Sequence, residues 1–191
     1  MLPRAGEGGQ GLLEFALVLP VIMLVAVGLM EFAVFMNARN AVEFAARDGS
    51  VLAAEGGNTP GTDCVVLDTV ERDVVAPATQ IRIQIVNIYW SDRNGDQNGS
   101  NTNTYTRGGG TTTCTYGGGA SLTVPYVLSS GGYLEGARCD VLAGCGGGHP
   151  GLDTIGVRVT YLHQWMTTIA KQAGTGVTFT VGSATRMEPQ Q

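Results

Sequence analysis

The chain has 191 residues, a net charge of −5 and only 14% charged residues, against roughly 25% in an average soluble protein. Ten of its eleven cations are arginine and they form no basic run, so the electrostatic footprint of a nucleic-acid binder is absent. The length suits one domain of ordinary size, or one domain plus an anchoring segment, and the composition excludes a highly charged disordered tail.

The apolar residues gather at the front. Residues 15–30 read FALVLPVIMLVAVGLM without a charge, and residues 12–36 hold only Glu14 and Glu31. A helix over those 25 residues would be about 37 Å long, enough to cross a hydrocarbon core of about 30 Å. A buried core helix is the alternative, but such helices rarely run this long while apolar on every side. Pro20 removes one backbone donor, which membrane helices tolerate better than soluble ones. The apolar run is too long for a secretory signal and continues into Glu31-Phe32-Ala33, so retention is expected rather than removal.

In front lies MLPRAGEGG, a short leader of small and polar residues, followed by Gln10-Gly11-Leu12-Leu13-Glu14-Phe15. A hydrophilic leader ending in glycine, with Glu at the fifth position after it and an aromatic at the sixth, resembles the prepilin processing motif. The run Glu14-Phe15-Ala16-Leu17-Val18-Leu19-Pro20, the second pair Glu31-Phe32, and Asn40-Ala41 with Ala45-Ala46-Arg47-Asp48-Gly49 resemble the TadE-like (TadE/TadG) pseudopilins of the tight-adherence (Flp) pilus system. The closing Ala184-Thr185-Arg186-Met187-Glu188-Pro189 is similar to the ending of that family. The resemblance implies cleavage between Gly9 and Gln10 by a membrane-embedded prepilin peptidase, with Glu14 and Phe15 completing the processing motif. Gly9 has no side chain to obstruct a narrow peptidase cleft. Glu14 sits at the apolar edge, where a carboxylate is costly and normally serves a function. The resemblance implies an assembly role for it, paired with the freed amino group of a pilin subunit, and Glu31 is a second assembly candidate. Snorkelling of Glu14 to the headgroups is the plainer reading.

The family places the leader in the cytoplasm and the rest of the chain outside, in a bacterial inner membrane. Arg4 before the span, with Arg39 and Arg47 behind it, favours the reverse orientation by the positive-inside rule. Cys64, Cys114, Cys139 and Cys145 all follow the span, and an even set of cysteines suits an oxidising compartment, which favours export. Four cysteines allow three connectivities. A local Cys139–Cys145 loop, with Cys64–Cys114 tying the helical part to the loop region, is taken first. Cys139, Cys145 and His149 could be drawn as a zinc site, but no clear fourth ligand follows in the sequence.

Past the membrane, residues 37–54 are alanine-rich and continue the helix, with Glu43 and Arg47 at a supporting spacing. Gly56, Gly57, Pro60 and Gly61 end it. Residues 64–76 carry apolar positions at helical spacing and predict an amphipathic helix stopped by Pro77. Residues 80–90 alternate around Ile81, Ile83, Ile85 and Ile88 and predict a strand, as do residues 153–166 and 176–184. Residues 95–119 contain no Val, Ile, Leu, Met or Phe, and 18 of the 25 are Gly, Thr or Asn; they are expected to form a long exposed loop. The Gly triplets at 108–110, 117–119 and 146–148 lack the Lys-Ser/Thr of a phosphate loop.

Asp92, Asn94, Asp96 and Asn98 alternate as calcium ligands do, but the sixth and twelfth loop positions do not fit, and a turn has the same chemistry. Asn98-Gly99-Ser100 is a glycosylation sequon without force in a bacterial protein. No GxSxG, HExxH or nucleotide fingerprint occurs. His149 lies in a glycine loop and His163 in a strand with Tyr161 and Trp165, so a packed or partly exposed role is expected for both, and no enzyme and no cofactor are expected.

The expected architecture is α+β. Residues 1–9 form a leader, 10–55 a transmembrane and juxtamembrane helix, and 56–191 an extracytoplasmic domain with one amphipathic helix and three to five antiparallel strands. The expected function is that of a minor pilin or pseudopilin contributing to pilus assembly and adhesion. Its expected partners are prepilin peptidase, other pilins, pilus assembly proteins and lipid, with no nucleic acid. The alternative is an anchored binding or adhesin module that never enters a filament.

Overall fold

The computed structural model describes residues 7–116, 119–140, 145, 149, 151–172 and 174–187, with side chains from residue 11 onward. Helix α1 (Glu7–Gly56) runs 50 residues without interruption and carries Pro20 inside it. It changes character at Glu31. Residues 11–30 are exposed nearly all round, whereas beyond that point Glu31, Ala38, Val42, Ala45, Ala46, Gly49, Ser50, Ala53 and Ala54 are buried. That spacing of three and four residues makes one continuous stripe down the helix. The stripe is mostly Ala, Gly and Ser, so the helix approaches its neighbours closely. A Cβ on Gly49 would lie 3.2 Å from Val70 and 3.4 Å from Val157.

Helix α2 (Thr62–Asp73) follows a short turn and lies beside α1. It starts two residues before the expected helix and ends at Asp73, three residues before its expected end at 76. Residues Gln80–Arg82 form a single 3₁₀ turn with Ile81 exposed, so strand β1 is Ile83–Ser91 and begins later than the alternation suggested. The other strands are β2 (Gln97–Tyr116), β3 (Ala120–Gly131), β4 (Thr154–Gln164) and β5 (Gly176–Arg186). They form one antiparallel sheet in the order β3-β2-β1-β4-β5. A short helix, α3 (Thr168–Lys171), sits between β4 and β5.

The inner face of the sheet presents Val86, Ile88, Ile155, Val157, Val159 and Tyr161, all buried. Helix α1 covers the β4–β5 half and α2 lies against β2 and β3. The structure therefore holds the expected long apolar helix, the second helix and an antiparallel sheet with five strands.

The expected loop at 95–119 is overturned: most of it is β2, the longest strand of the sheet. Thr102, Thr104 and Thr106 point away from the helices, and threonine is a good strand former. The alternate positions Asn103, Tyr105 and Arg107 face α2, where polar partners take the place of apolar contacts. Asn103 Nδ2 donates to Asp63 at 2.9 Å, the Tyr105 hydroxyl donates to Asp63 at 2.7 Å, and Arg107 pairs with Glu71. The triplet at 108–110 breaks the β2–β3 register between Arg107 and Thr112. Gly108 and Gly110 have φ of 89° and 143° there, values that L side chains rarely adopt. Strand β3 lies at the sheet edge, where Pro125 removes no donor that an inner strand would need.

Candidate functional site

The exposed stem is the first candidate. Leu12, Leu17, Ile22, Leu24 and Leu29 are each more than half exposed, and none of the most apolar stretch of the helix is buried by the described residues. A helix apolar on every side is stable only inside lipid or among other helices. Residues 12–30 span about 28 Å at 1.5 Å per residue, close to the bilayer core. This is one helix long and apolar enough to cross a membrane, and it fits a single-pass anchor.

The processing residues lie at its start. Gly9 and Gln10 are within the helical backbone of α1, but the Gln10 side chain, and residues 1–6 of the leader, lie outside what the structure describes. Glu14 and Phe15 are exposed near the beginning of the stem. Glu14 and Glu31, both assembly candidates, are 17 residues apart on one helix, about 25 Å, and so belong to different places.

Glu31 marks the point where the domain meets the stem. It is buried and accepts the backbone N–H groups of Thr167 and Met166, the latter at 3.3 Å. One turn further on, the Phe35 ring meets His163 edge-on at 5.3 Å and Phe179 at 5.6 Å. His163 is buried, and neither of its ring nitrogens has a hydrogen-bond partner among the described residues. Burial holds its pKa below the usual imidazole range, and the Arg82 charge adds to this while Glu31 opposes it.

The Ala45-Ala46-Arg47-Asp48-Gly49 run lies in the α1 seam, with Ala45, Ala46 and Gly49 buried. Just beyond it, Ser50 Oγ lies 2.8 Å from Thr185 Oγ1 on β5. At the same level of the seam, burial and then the Asp48 charge raise the pKa of Asp73 on α2.

The cysteines form two bonds. Cys64 on α2 is joined to Cys114 on β2, with Cα atoms 6.1 Å apart, and Cys139 to Cys145 at 4.9 Å. The first fastens the β2–β3 arm, beyond its glycine bend, to the start of α2. The Asp92 carboxylate accepts the backbone N–H groups of Asn94 at 2.8 Å and Asp96 at 3.0 Å. The alternation of Asp92, Asn94 and Asp96 thus builds the turn between β1 and β2.

Sequence reasoning missed a buried polar network at the N-terminus of α2. Asp63 is ion-paired with the buried Arg138, and Glu135 accepts the N–H groups of Gly61 at 2.9 Å and Asp63 at 2.7 Å. An acid facing free amides at a helix start is favourable, but here it is contributed from more than 70 residues away, so no local cap signal exists. Desolvation and the Asp63 charge push the Tyr105 hydroxyl well above the ordinary phenol range, so it stays a donor. Also missed was Asp153, which accepts from the Tyr133 hydroxyl at 2.6 Å and the Cys139 N–H at 2.9 Å, and lies 2.6 Å from His149 Nδ1. In the sequence Asp153 is only the first residue of a predicted strand.

The stem and seam define an α+β domain in which one helix supplies both part of the core and a segment that fits a single-pass membrane anchor. Residues 9–50 match the family model of TadE-like protein, so this N-terminal region is similar to that family. No curated protein matches the chain, and no solved structure does.

Proposed function

We propose that this chain is a TadE-like minor pilin or pseudopilin of a tight-adherence pilus system. The stem anchors it in the bacterial inner membrane, with the sheet domain outside, and it contributes to pilus assembly and surface adhesion. The observation that carries this reading is the stem itself, exposed on every side yet continuous with a helix that is built into the domain core. Each large apolar side chain left in water costs about 1.5–3 kcal/mol, so the stem must always be covered. Lipid covers it in the stored subunit, and neighbouring pilin helices would cover it after extraction. The match over residues 9–50 embraces the junction at Gly9 and Gln10, the stem and the seam, which supports prepilin peptidase and other pilins as partners. The two disulfides support the outward orientation. The role is structural and non-catalytic.

The test is the intact mass and N-terminal sequence of the membrane-extracted chain, with and without co-expressed prepilin peptidase. A start at Gln10 only when the peptidase is present, and loss of co-purification with pilus components in Glu14→Ala, are the expected results. A Met1 form under both conditions would overturn the reading and leave an anchored extracytoplasmic module.

A further inference from the structure

The turn closed by Cys139 and Cys145 brings together four groups that bind metal ions. Cys139 Sγ, a ring nitrogen of His149 and a carboxylate oxygen of Asp153 lie within 4.8 Å of one another. Cys145 Sγ is bonded to Cys139 Sγ and shares their place. The order along the chain is Cys139-x5-Cys145-x3-His149-x3-Asp153, with glycines at 146–148 between the second and third groups. In the sequence this set stops at three ligands; the fold supplies the fourth from the start of the strand that follows.

The surroundings are those of a ligand set held in position. Asp153 is buried, and the oxygen not facing His149 accepts from the Tyr133 hydroxyl and the Cys139 N–H, contacts that fix a carboxylate and leave its other oxygen directed. His149 faces that other oxygen through Nδ1, and its ring is stacked on Trp90 at 4.7 Å and 24°. Cys145 is exposed at the surface while Cys139 is buried, so a reductant can reach the bond from one side.

We propose that the dithiol form of this turn binds a zinc ion through Cys139, Cys145, His149 and Asp153, and that the disulfide and the metal are alternative cross-links of the same turn. Two thiolates, one imidazole and one carboxylate make a four-coordinate set that suits Zn²⁺ among the available divalent ions. Opening the site takes two electrons and two protons from a dithiol reductant, which leaves as its own disulfide. Zinc binding then releases the two thiol protons to solvent, and the cation sits between His149 Nδ1 and the Asp153 carboxylate, with the neutral imidazole carrying its one proton on Nε2. The oxidised turn cannot bind, because its sulfurs are joined to each other. The proposal is independent of any role in a pilus.

The test uses the full chain in detergent, reduced with a phosphine and titrated with Co²⁺ alone, then with Zn²⁺. A thiolate–cobalt charge-transfer band that saturates at one ion per chain and is displaced by zinc is expected. The oxidised chain should show no band. His149→Ala should weaken cobalt binding at least tenfold while the chain keeps its thermal transition, and Cys64→Ser with Cys114→Ser should leave the band in place. Should Asp153→Asn unfold the chain, His149→Gln serves as the second ligand variant. Absence of the band in the reduced chain, equal affinity in His149→Ala, or a band that survives Cys139→Ser with Cys145→Ser would each overturn the proposal.

Discussion

Glu31 receives the backbone N–H of Thr167 across the boundary between the apolar stem and the sheet domain. This carboxylate lies on the helix directly after the exposed apolar stem, yet it fixes the turn after β4. Two amides, those of Met166 and Thr167, depend on it. Removing it with Glu31→Ala leaves both without their acceptor, at a cost of about 2–3 kcal/mol. Hydrogen exchange of the full chain in detergent should show residues 164–171 opening sooner in this variant while the centre of the sheet stays protected. Unchanged exchange there would dissociate Glu31 from the domain.

His163 gives the domain a dependence on pH with a definite sign. Its pKa in the fold lies below the ordinary 6.5, so the unfolded chain binds the proton more readily. Its contribution is therefore complete above about 6.5 and falls away as the pH drops through that value towards the lowered one. The charged groups bearing on it are Arg82 and Glu31, of opposite effect. In His163→Phe the ring is kept and no hydrogen bond is lost, since neither nitrogen has a partner among the described residues. Melting temperatures of this variant should be flatter between pH 7 and 5 than those of the parent. Asp73 acts the other way and at lower pH: its raised pKa means that stability is recovered as the pH falls through it.

The two disulfides should differ in worth. Their sequence separations are 50 and 6 residues, for which loop-closure entropy gives about 4 and about 2 kcal/mol respectively. Cys64→Ser with Cys114→Ser should lower the denaturation midpoint more than Cys139→Ser with Cys145→Ser. It should also expose the β2–β3 arm past residue 108 to proteolysis, because that arm loses its fastening to α2. Equal midpoints for the two double variants would contradict this ranking.

Tyr89 lies flat against Gly156 on the outer face of the sheet. A Cβ on Gly156 would come within 2.1 Å of the tyrosine ring. The ring has nowhere to go: its hydroxyl donates to the Gly95 carbonyl at 3.0 Å, and the Arg158 guanidinium sits over it at 4.9 Å. Gly156→Ala should cost about 1–3 kcal/mol through overpacking. The cost should shrink in a Tyr89→Ala background, and a double-mutant cycle measured by chemical denaturation reads that coupling.

The helices were legible because their signal is local. The run of uncharged residues from Phe15 to Met30 and the Ala-rich stretch after it state their own periodicity, and so do β4 and β5 through Val157, Val159 and Val181. Strand β2 was hidden because its inward residues are Asn103, Tyr105 and Arg107, whose partners Asp63 and Glu71 lie on α2. Alternation of apolar residues cannot register a strand whose buried side is satisfied by hydrogen bonds. The glycine triplet at 108–110 fell within the expected exposed loop, whereas its role is to bend a paired arm. The Asp63–Arg138 pair and the Glu135 cap join residues more than 70 positions apart, and no local pattern encodes that proximity. Asp153 was missed for the same reason, its partners Tyr133 and Cys139 being brought to it by the fold.

Helix α1 passes from stem to seam without a turn or a loop, so the domain has no swivel. Its heading about the stem axis is dictated by residue count alone. One residue added between Met30 and Glu31 would revolve the whole sheet by about 100° and lift it about 1.5 Å, whereas seven would bring it nearly back to its original bearing, about 10 Å higher. Any neighbour that grips the stem thereby chooses which way the β2–β3 arm and the Cys139 turn look.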